Sequence, residues 1–160
     1  MDSKQIIELL NDKFTESIFE IDGENAILVN ADQWSSIAEF LAKDESLIFN
    51  SMMCVTGYDL GNGKLGVAYN MHSMKYNHKL EVRVEVSIEK ALIPTVSKIW
   101  RTADWHEREI FDLYGIEFEG HEDMTRILLP DDWVGHPLRK DYETPNYYNG
   151  IPIPKGVDWE

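Results

Sequence analysis

One cysteine, Cys54, stands among 160 residues, and that count closes several routes. No intrachain disulfide can form. An iron–sulfur cluster held by four thiolates cannot sit on this chain alone, and neither can a cysteine-based zinc site. Cys54 lies in the apolar stretch LIFNSMMCV, where a thiol is expected to be buried and structural. Cations are scarce: 15 Lys and Arg stand against 29 Asp and Glu, for a net charge of −14. Binding to phosphate backbones or anionic lipid needs a cationic surface, so neither nucleic acid nor a membrane surface is an expected partner. No apolar run approaches the ~20 residues of a membrane helix, so no direct membrane insertion is expected. The opening MDSKQIIELLNDKF has no cationic segment leading into an apolar core, unlike a secretory signal. The five histidines form no HExxH and no helical pair, so no metal site is expected. Gly61-Asn62-Gly63 has no helix after it and reads as a hairpin loop rather than a phosphate cradle.

What is present is alternating and helical periodicity. Residues 3–14 read as an amphipathic helix that Ser3 would cap, with Ile6, Leu9 and Leu10 on one side. Residues 17–21 and 26–30 read as short strands joined at Asp22-Gly23-Glu24-Asn25, a hairpin-type turn. Residues 32–42 read as a second helix with Asp32 as N-cap and Trp34, Ile37, Ala38 and Leu41 at helical spacing. Three strands follow: the apolar run 47–56, then Leu65, Val67, Tyr69 and Met71, then Leu80, Val82, Val84, Val86 and Ile88. The last alternates with Glu81, Arg83, Glu85 and Ser87, which predicts a half-buried strand. From about 94 to 114 the period returns to 3.6, with Pro94 in the first turn and Gly115 just past the end. Five of the six prolines fall in 116–160. The order helix-strand-strand-helix-strand-strand-strand-helix predicts an α+β fold: one mainly antiparallel sheet with helices packed on one face. The expected division is a core domain at 1–115 and an irregular extension at 116–160, packed on the core and on partners. Within the extension Pro130-Asp131-Asp132-Trp133 reads as a turn.

The last helix carries most of the information. Projected at ~100° per residue, Val96, Ile99, Trp100, Ala103, Ile110, Phe111 and Tyr114 share one side, and Glu107 falls among them. A buried carboxylate needs a partner, and Arg83 and Arg126 are the expected ones for an internal ion pair. Trp105 falls opposite, in a row with Arg101, Arg108 and Asp112. Large aromatic and arginine side chains in that position anchor interfaces; cover by the chain's own tail is the alternative. Arg108 and Asp112 are spaced to pair with each other.

The stretch WHEREIFDLYGIEFEGHEDMTRILLPDDWVGHPLRKDY, residues 105–142, resembles the signature of one family of subunits of the proton-pumping NADH:quinone oxidoreductase, respiratory complex I. That family is the complex's smaller hydrophilic connecting subunit. The matching pieces are Glu107-Arg108-Glu109, Phe111-Asp112, Gly115, His121, an expected Arg126-Ile127-Leu128 strand, and Gly135-His136-Pro137-Leu138-Arg139-Lys140-Asp141-Tyr142. Glu122, Thr125 and Glu143 depart from residues frequent in the family.

The resemblance implies a structural, cofactor-free subunit with no activity when isolated. The assembly would pass electrons from NADH through FMN and Fe–S clusters, held by partner subunits, to a quinone, coupled to proton translocation. Expected partners are the quinone-site subunit and the cluster-bearing subunits, in a hetero-oligomer held at the cytoplasmic face of the bacterial inner membrane. From the chain's first and last residues no fusion to the quinone-site subunit is expected. The expected interface comprises Trp105, Arg108, Trp133, His136, Pro137, Arg139, Lys140 and Tyr142, with Arg139 and Lys140 clamping an acidic neighbour. Two alternatives remain: the equivalent subunit of a ferredoxin-driven or membrane-bound hydrogenase complex, and a free-standing enzyme using Glu107 as acid or base.

Overall fold

A computed structural model describes residues 3–14, 17–21 and 26–153. The expected turn at 22–25 and the end of the tail, 154–160, lie outside the described residues. The element order is α1 (Ser3–Lys13), β1 (Ile18–Glu20), β2 (Ala26–Val29), α2 (Ala31–Lys43), β3 (Ser51–Asp59), β4 (Lys64–Ser73) and β5 (His78–Ser87). A short 3-10 turn leads to β6 (Leu92–Pro94), α3 (Thr102–Tyr114), β7 (Glu117–Glu119), β8 (Tyr147–Tyr148) and β9 (Ile151–Pro152). Five strands form one sheet in the order β1-β2-β5-β4-β3. All its pairs are antiparallel except β2 with β5, which runs parallel with Ile27 opposite Val82.

The fold is α+β with a mainly antiparallel sheet, and the period-two pattern explains which face is covered. Across β4 and β5, Val67 faces Val84, Tyr69 faces Val82 and Met71 faces Leu80, and all six are buried. Ile6, Ile7 and Leu10 of α1, Trp34, Ile37, Ala38 and Leu41 of α2, and Ala103 and Ile110 of α3 join them in one core. Alternate side chains, including Glu81, Arg83 and Glu85, lie on the other face, where Arg83 donates to Glu81 at 2.6 Å. The core runs on past α3 through Ile116 and Phe118.

Several boundaries differ from expectation. Asn30 rather than Asp32 occupies the N-cap of α2, and Asp32 lies in its first turn, where a carboxylate complements the helix dipole. Leu47 and Phe49 are buried but precede β3: the Leu47 and Ile48 amides bond back to Asp44 and Ile48 has a φ of 42°, so this apolar run plugs the core as a loop. A bulge between Met52 and Cys54 shifts the alternation, leaving Met53 and Cys54 both exposed. The expected buried thiol is therefore a surface one. β3 runs on past the expected end at residue 56 through Gly57, Tyr58 and Asp59.

The expected helix from 94 starts at Thr102 instead. Pro94 belongs to β6, which pairs in parallel with β7. Val96, Ile99 and Trp100 kept helical spacing because they sit in a tight turn, with the Ile99 and Trp100 amides bonding Val96 O. Arg126-Ile127-Leu128, expected as a strand, forms bends instead.

Candidate functional site

Helix α3 packs on the sheet through Ile110 and Tyr114, so closely that a Cβ on Gly57 of β3 would lie 2.7 Å from the Tyr114 ring. It carries two buried carboxylates, one aimed at each of its neighbours. Glu107 reaches the turn after β6, and Asp112 reaches the extension.

Glu107 is fully buried. Its Oε2 lies 2.5 Å from Thr95 Oγ1, its Oε1 accepts from the Val96 amide at 2.9 Å, and His121 Nε2 is 3.9 Å away. Burial pushes its pKa up to about 7; the Thr95 and Val96 bonds pull against that, and the charge of Asp104 adds to it. The Asp123 amide donates to His121 Nδ1 at 3.1 Å, which puts the ring's proton on Nε2, facing Asp104 Oδ1 at 3.2 Å. The expected guanidinium partners are elsewhere. Arg83 is on the far face with Glu81, and Arg126 is bound by Asp112 at 2.7 Å. Neutral donors reach Glu107 because Thr95 and Val96 immediately follow β6, whose pairing to β7 continues as the Thr95 amide bonds Glu119 O at 3.0 Å.

Asp112, placed by its spacing on the polar side, is also fully buried. Besides the Arg126 bond, its Oδ2 accepts three successive amides, Ile127 at 3.1 Å, Leu128 at 2.8 Å and Leu129 at 2.9 Å. Burial pushes its pKa up, but the donations from Leu129, Leu128, Arg126 and Ile127 outweigh it and hold the carboxyl below its ordinary value. Arg108 therefore does not pair with Asp112. It bonds Thr125 Oγ1 at 2.7 Å and lies 3.5 Å from Asp123.

The Gly135–Lys140 segment closes the end of α3. A helix leaves its last four carbonyls without internal partners. Here Phe111 O takes the Gly115 amide, Asp112 O takes Arg126 and His136 Nδ1, Leu113 O takes the Leu138 amide and Tyr114 O takes Arg139 Nε at 2.6 Å. Gly115 sits at φ 73°, and a Cβ there would meet the His136 ring at 2.5 Å. Lys140 donates its amide to Asp59 Oδ2 at 2.8 Å and lays its side chain over Gly61. Trp133 Nε1 donates to Tyr142 Oη at 3.1 Å, and the Tyr142 ring packs on Gly135. Pro137 is half-buried. Of the expected acidic-neighbour clamp, Arg139 is thus turned inward to cap a helix of its own chain, while Lys140 stays exposed.

Of the expected interface residues Trp105 and Lys140 are exposed, Trp105 by 62%, with the Arg108 guanidinium 5.0 Å from its ring. Two residues of the site, Thr95 and Asp112, were not expected there. Thr95 lay inside an assumed helix. An aspartate in the last turn of a helix opposes the dipole, which was the available sign that Asp112 has another partner.

Residues 27–148 match the family model described as respiratory-chain NADH dehydrogenase, 30 Kd subunit. The chain belongs to that family. It is 48% identical over 151 residues to an NADH-quinone oxidoreductase subunit of Chloroherpeton thalassium, covering 91% of this chain and 63% of that protein. To the like-named protein of Chlorobium phaeobacteroides it is 39% identical, covering 92% of each. The chain thus spans under two thirds of the first relative's length and nearly all of the second's. The fold matches a trypsin-resistant fragment (1-134) of Nqo5, with a TM-score of 0.61 and 27% identity, over 77% of this chain and 99% of that one. A chain of an archaeal membrane-bound sulfane sulfur reductase, a respiratory membrane complex, shares the fold at TM-score 0.71 and 23% identity, over 88% and 85% of the two chains.

Proposed function

We propose that this complex I 30 kDa family chain is a non-catalytic structural subunit of the peripheral arm of an NADH:quinone oxidoreductase. It holds no redox cofactor; FMN and Fe–S clusters reside in partner subunits that carry electrons from NADH to quinone, coupled to proton translocation. Its role is to brace the quinone-site subunit against the cluster-bearing subunits, at the cytoplasmic face of the bacterial membrane. Among the described residues no helix is long and apolar enough to cross a membrane, so attachment would come through the partners.

The observation that carries this reading is the clamped end of α3. Asp112, Arg126, His136 and Arg139 fix a loop-rich extension onto one helix, while Trp105, Leu128, Val134 and Leu138 face water. A rigid surface with large apolar groups outward is built for contact with protein. The single cysteine cannot hold a cluster. An enzyme working through Glu107 is disfavoured by geometry, because that carboxyl has no exposed surface for a substrate to reach.

The test is recovery of the tagged chain from its native membranes in mild detergent, with co-purifying subunits identified by mass spectrometry. Flavin- and NADH-binding subunits are expected. A ferredoxin-type or hydrogenase module would replace the donor, and recovery of the chain alone would overturn the scaffold role. Trp105→Ala is expected to lower recovery with the complex while changing the chain's own stability by within ~0.5 kcal/mol, read by denaturant unfolding.

A further inference from the structure

The surface that the clamp leaves outward has a definite polarity. In residues 102–153 all three arginines point their hydrogen bonds into the chain: Arg108 to Thr125, Arg126 to Asp112 and Arg139 to Tyr114 O. Lys140 is the one exposed cation among the described residues of that span, and its side chain lies over Gly61. The other exposed charged residues of that span are carboxylates, among them Glu109, Glu122, Asp131, Asp141 and Glu143, and the exposed Arg101 lies just before it, one turn ahead of Trp105.

The apolar groups sit among those carboxylates. Trp105 is on the same side of α3 as Asp112, two turns or roughly 10 Å earlier. Leu128 is tied to Asp112 through its amide, and Leu138 is tied to Leu113 through its own. Val134, 81% exposed, adjoins Gly135, whose carbonyl takes the other arm of Arg126. One helix end therefore fixes Leu128, Val134 and Leu138 in place, and Glu109 of the same helix lines a groove with Leu138.

We infer that this face docks a segment of a partner subunit in which apolar side chains are flanked by lysines and arginines. The inference rests on the scaffold role proposed above and specifies the chemistry of the neighbour. Charge decides among the occupants. An acidic segment would meet the carboxylates of residues 102–153, whose three arginines are all bonded within the chain, and like charges across an interface oppose binding. A second copy of this face would bring the same carboxylates against themselves, and phosphate-bearing surfaces are repelled in the same way.

The test uses the assembled complex. Leu138 is replaced by a photoreactive benzoylphenylalanine, the complex is irradiated, and the cross-linked partner residue is mapped by mass spectrometry. The expected cross-link lies in a segment with lysine or arginine on both sides. In parallel, Glu109→Lys with Asp131→Lys should lower recovery of the chain with the complex several-fold, whereas Lys140→Glu should not lower it. Unchanged unfolding midpoints of these chains show that folding is intact. A cross-link to an acidic segment, the reverse order of the charge variants, or no cross-link from an assembled chain overturns the inference and leaves the scaffold role standing. Failure of the unaltered chain to assemble overturns both.

Discussion

Replacing Glu107 by glutamine isolates the electrostatic cost of burying this carboxyl in the fold. The folded carboxyl titrates at about 7, against an ordinary value of 4.5. Between those values the folded chain holds a proton that the unfolded chain has released, so folding stability is complete at low pH and falls as the pH rises through 7. The whole loss is about 3 kcal/mol, most of it between about pH 5 and about pH 8. Glutamine reproduces the protonated acid: its oxygen accepts from the Val96 amide and its NH2 donates to Thr95 Oγ1. The two proteins should be close in stability near pH 5, and Glu107→Gln should be the more stable by roughly 2–3 kcal/mol near pH 8. Denaturant unfolding across that range measures the difference directly. The titratable groups facing Glu107 are Asp104 on its own helix, His121 from the loop after β7 and Tyr69 from β4. His78 and His136, both held low chiefly by burial, gain stability as the pH rises through the ordinary histidine range, the opposite sign, but they are common to both proteins and cancel. Asp112 loses stability only as the pH falls through its lowered value, below the range. Parallel curves for the two proteins would refute the reasoning, because they would mean that Glu107 is already ionised in the fold near neutrality.

Asp112→Ala leaves the Arg126 guanidinium and three amides without their acceptor, a loss expected to cost ~3–5 kcal/mol. Trypsin should then cut at Arg126 and Arg139 well before it unfolds the sheet, and an unchanged digestion pattern would contradict the clamp. Gly115→Ala combines a left-handed backbone, ~1–2 kcal/mol for a residue with a Cβ, with a clash against His136. His136→Ala in the same chain should recover the steric part, and strictly additive unfolding free energies would show that the two positions do not touch.

The sheet was legible because its signal is local. Alternation in β4 and β5 and helical spacing in α2 each reflect neighbours within one segment, and the register places the alternating residues opposite each other as that pattern requires. Gly115 was legible because a left-handed residue just past a helix end is a local requirement. The pair β6–β7 was not: two strands of three residues, separated by a whole helix, carry too few side chains for either period to appear, and Pro94 fits a helix start as well as a strand. Cys54 was misread because one extra residue in β3 reverses inside and outside, and nothing in the string of letters marks where a bulge falls. The partners of Glu107 followed from the same error. Once residues 94–101 are taken as helix, Thr95 cannot reach the carboxyl and an arginine is the partner left to expect.

The block from Gly135 to Tyr142 shows why a motif can identify a family without showing where its partner binds. His136, Pro137, Arg139, Lys140 and Tyr142 of that block were all candidates for contact with another protein of the assembly. In the fold His136, Arg139 and the Leu138 amide satisfy successive carbonyls at the end of one helix, and Tyr142 packs on Gly135 while its hydroxyl receives Trp133. Those bonds need particular residues at particular offsets, so the pattern is long and ungapped for reasons internal to the chain. A contact surface has looser needs: apolar groups held still, and a charge sign around them. Leu128, Val134 and Leu138 supply the first because the clamp immobilises their backbone, and the carboxylates supply the second because the arginines have been drawn inward. The bonds of Arg139 and His136 that make the segment recognisable as a sequence thus turn those side chains inward, and of its two cations only Lys140 stays exposed.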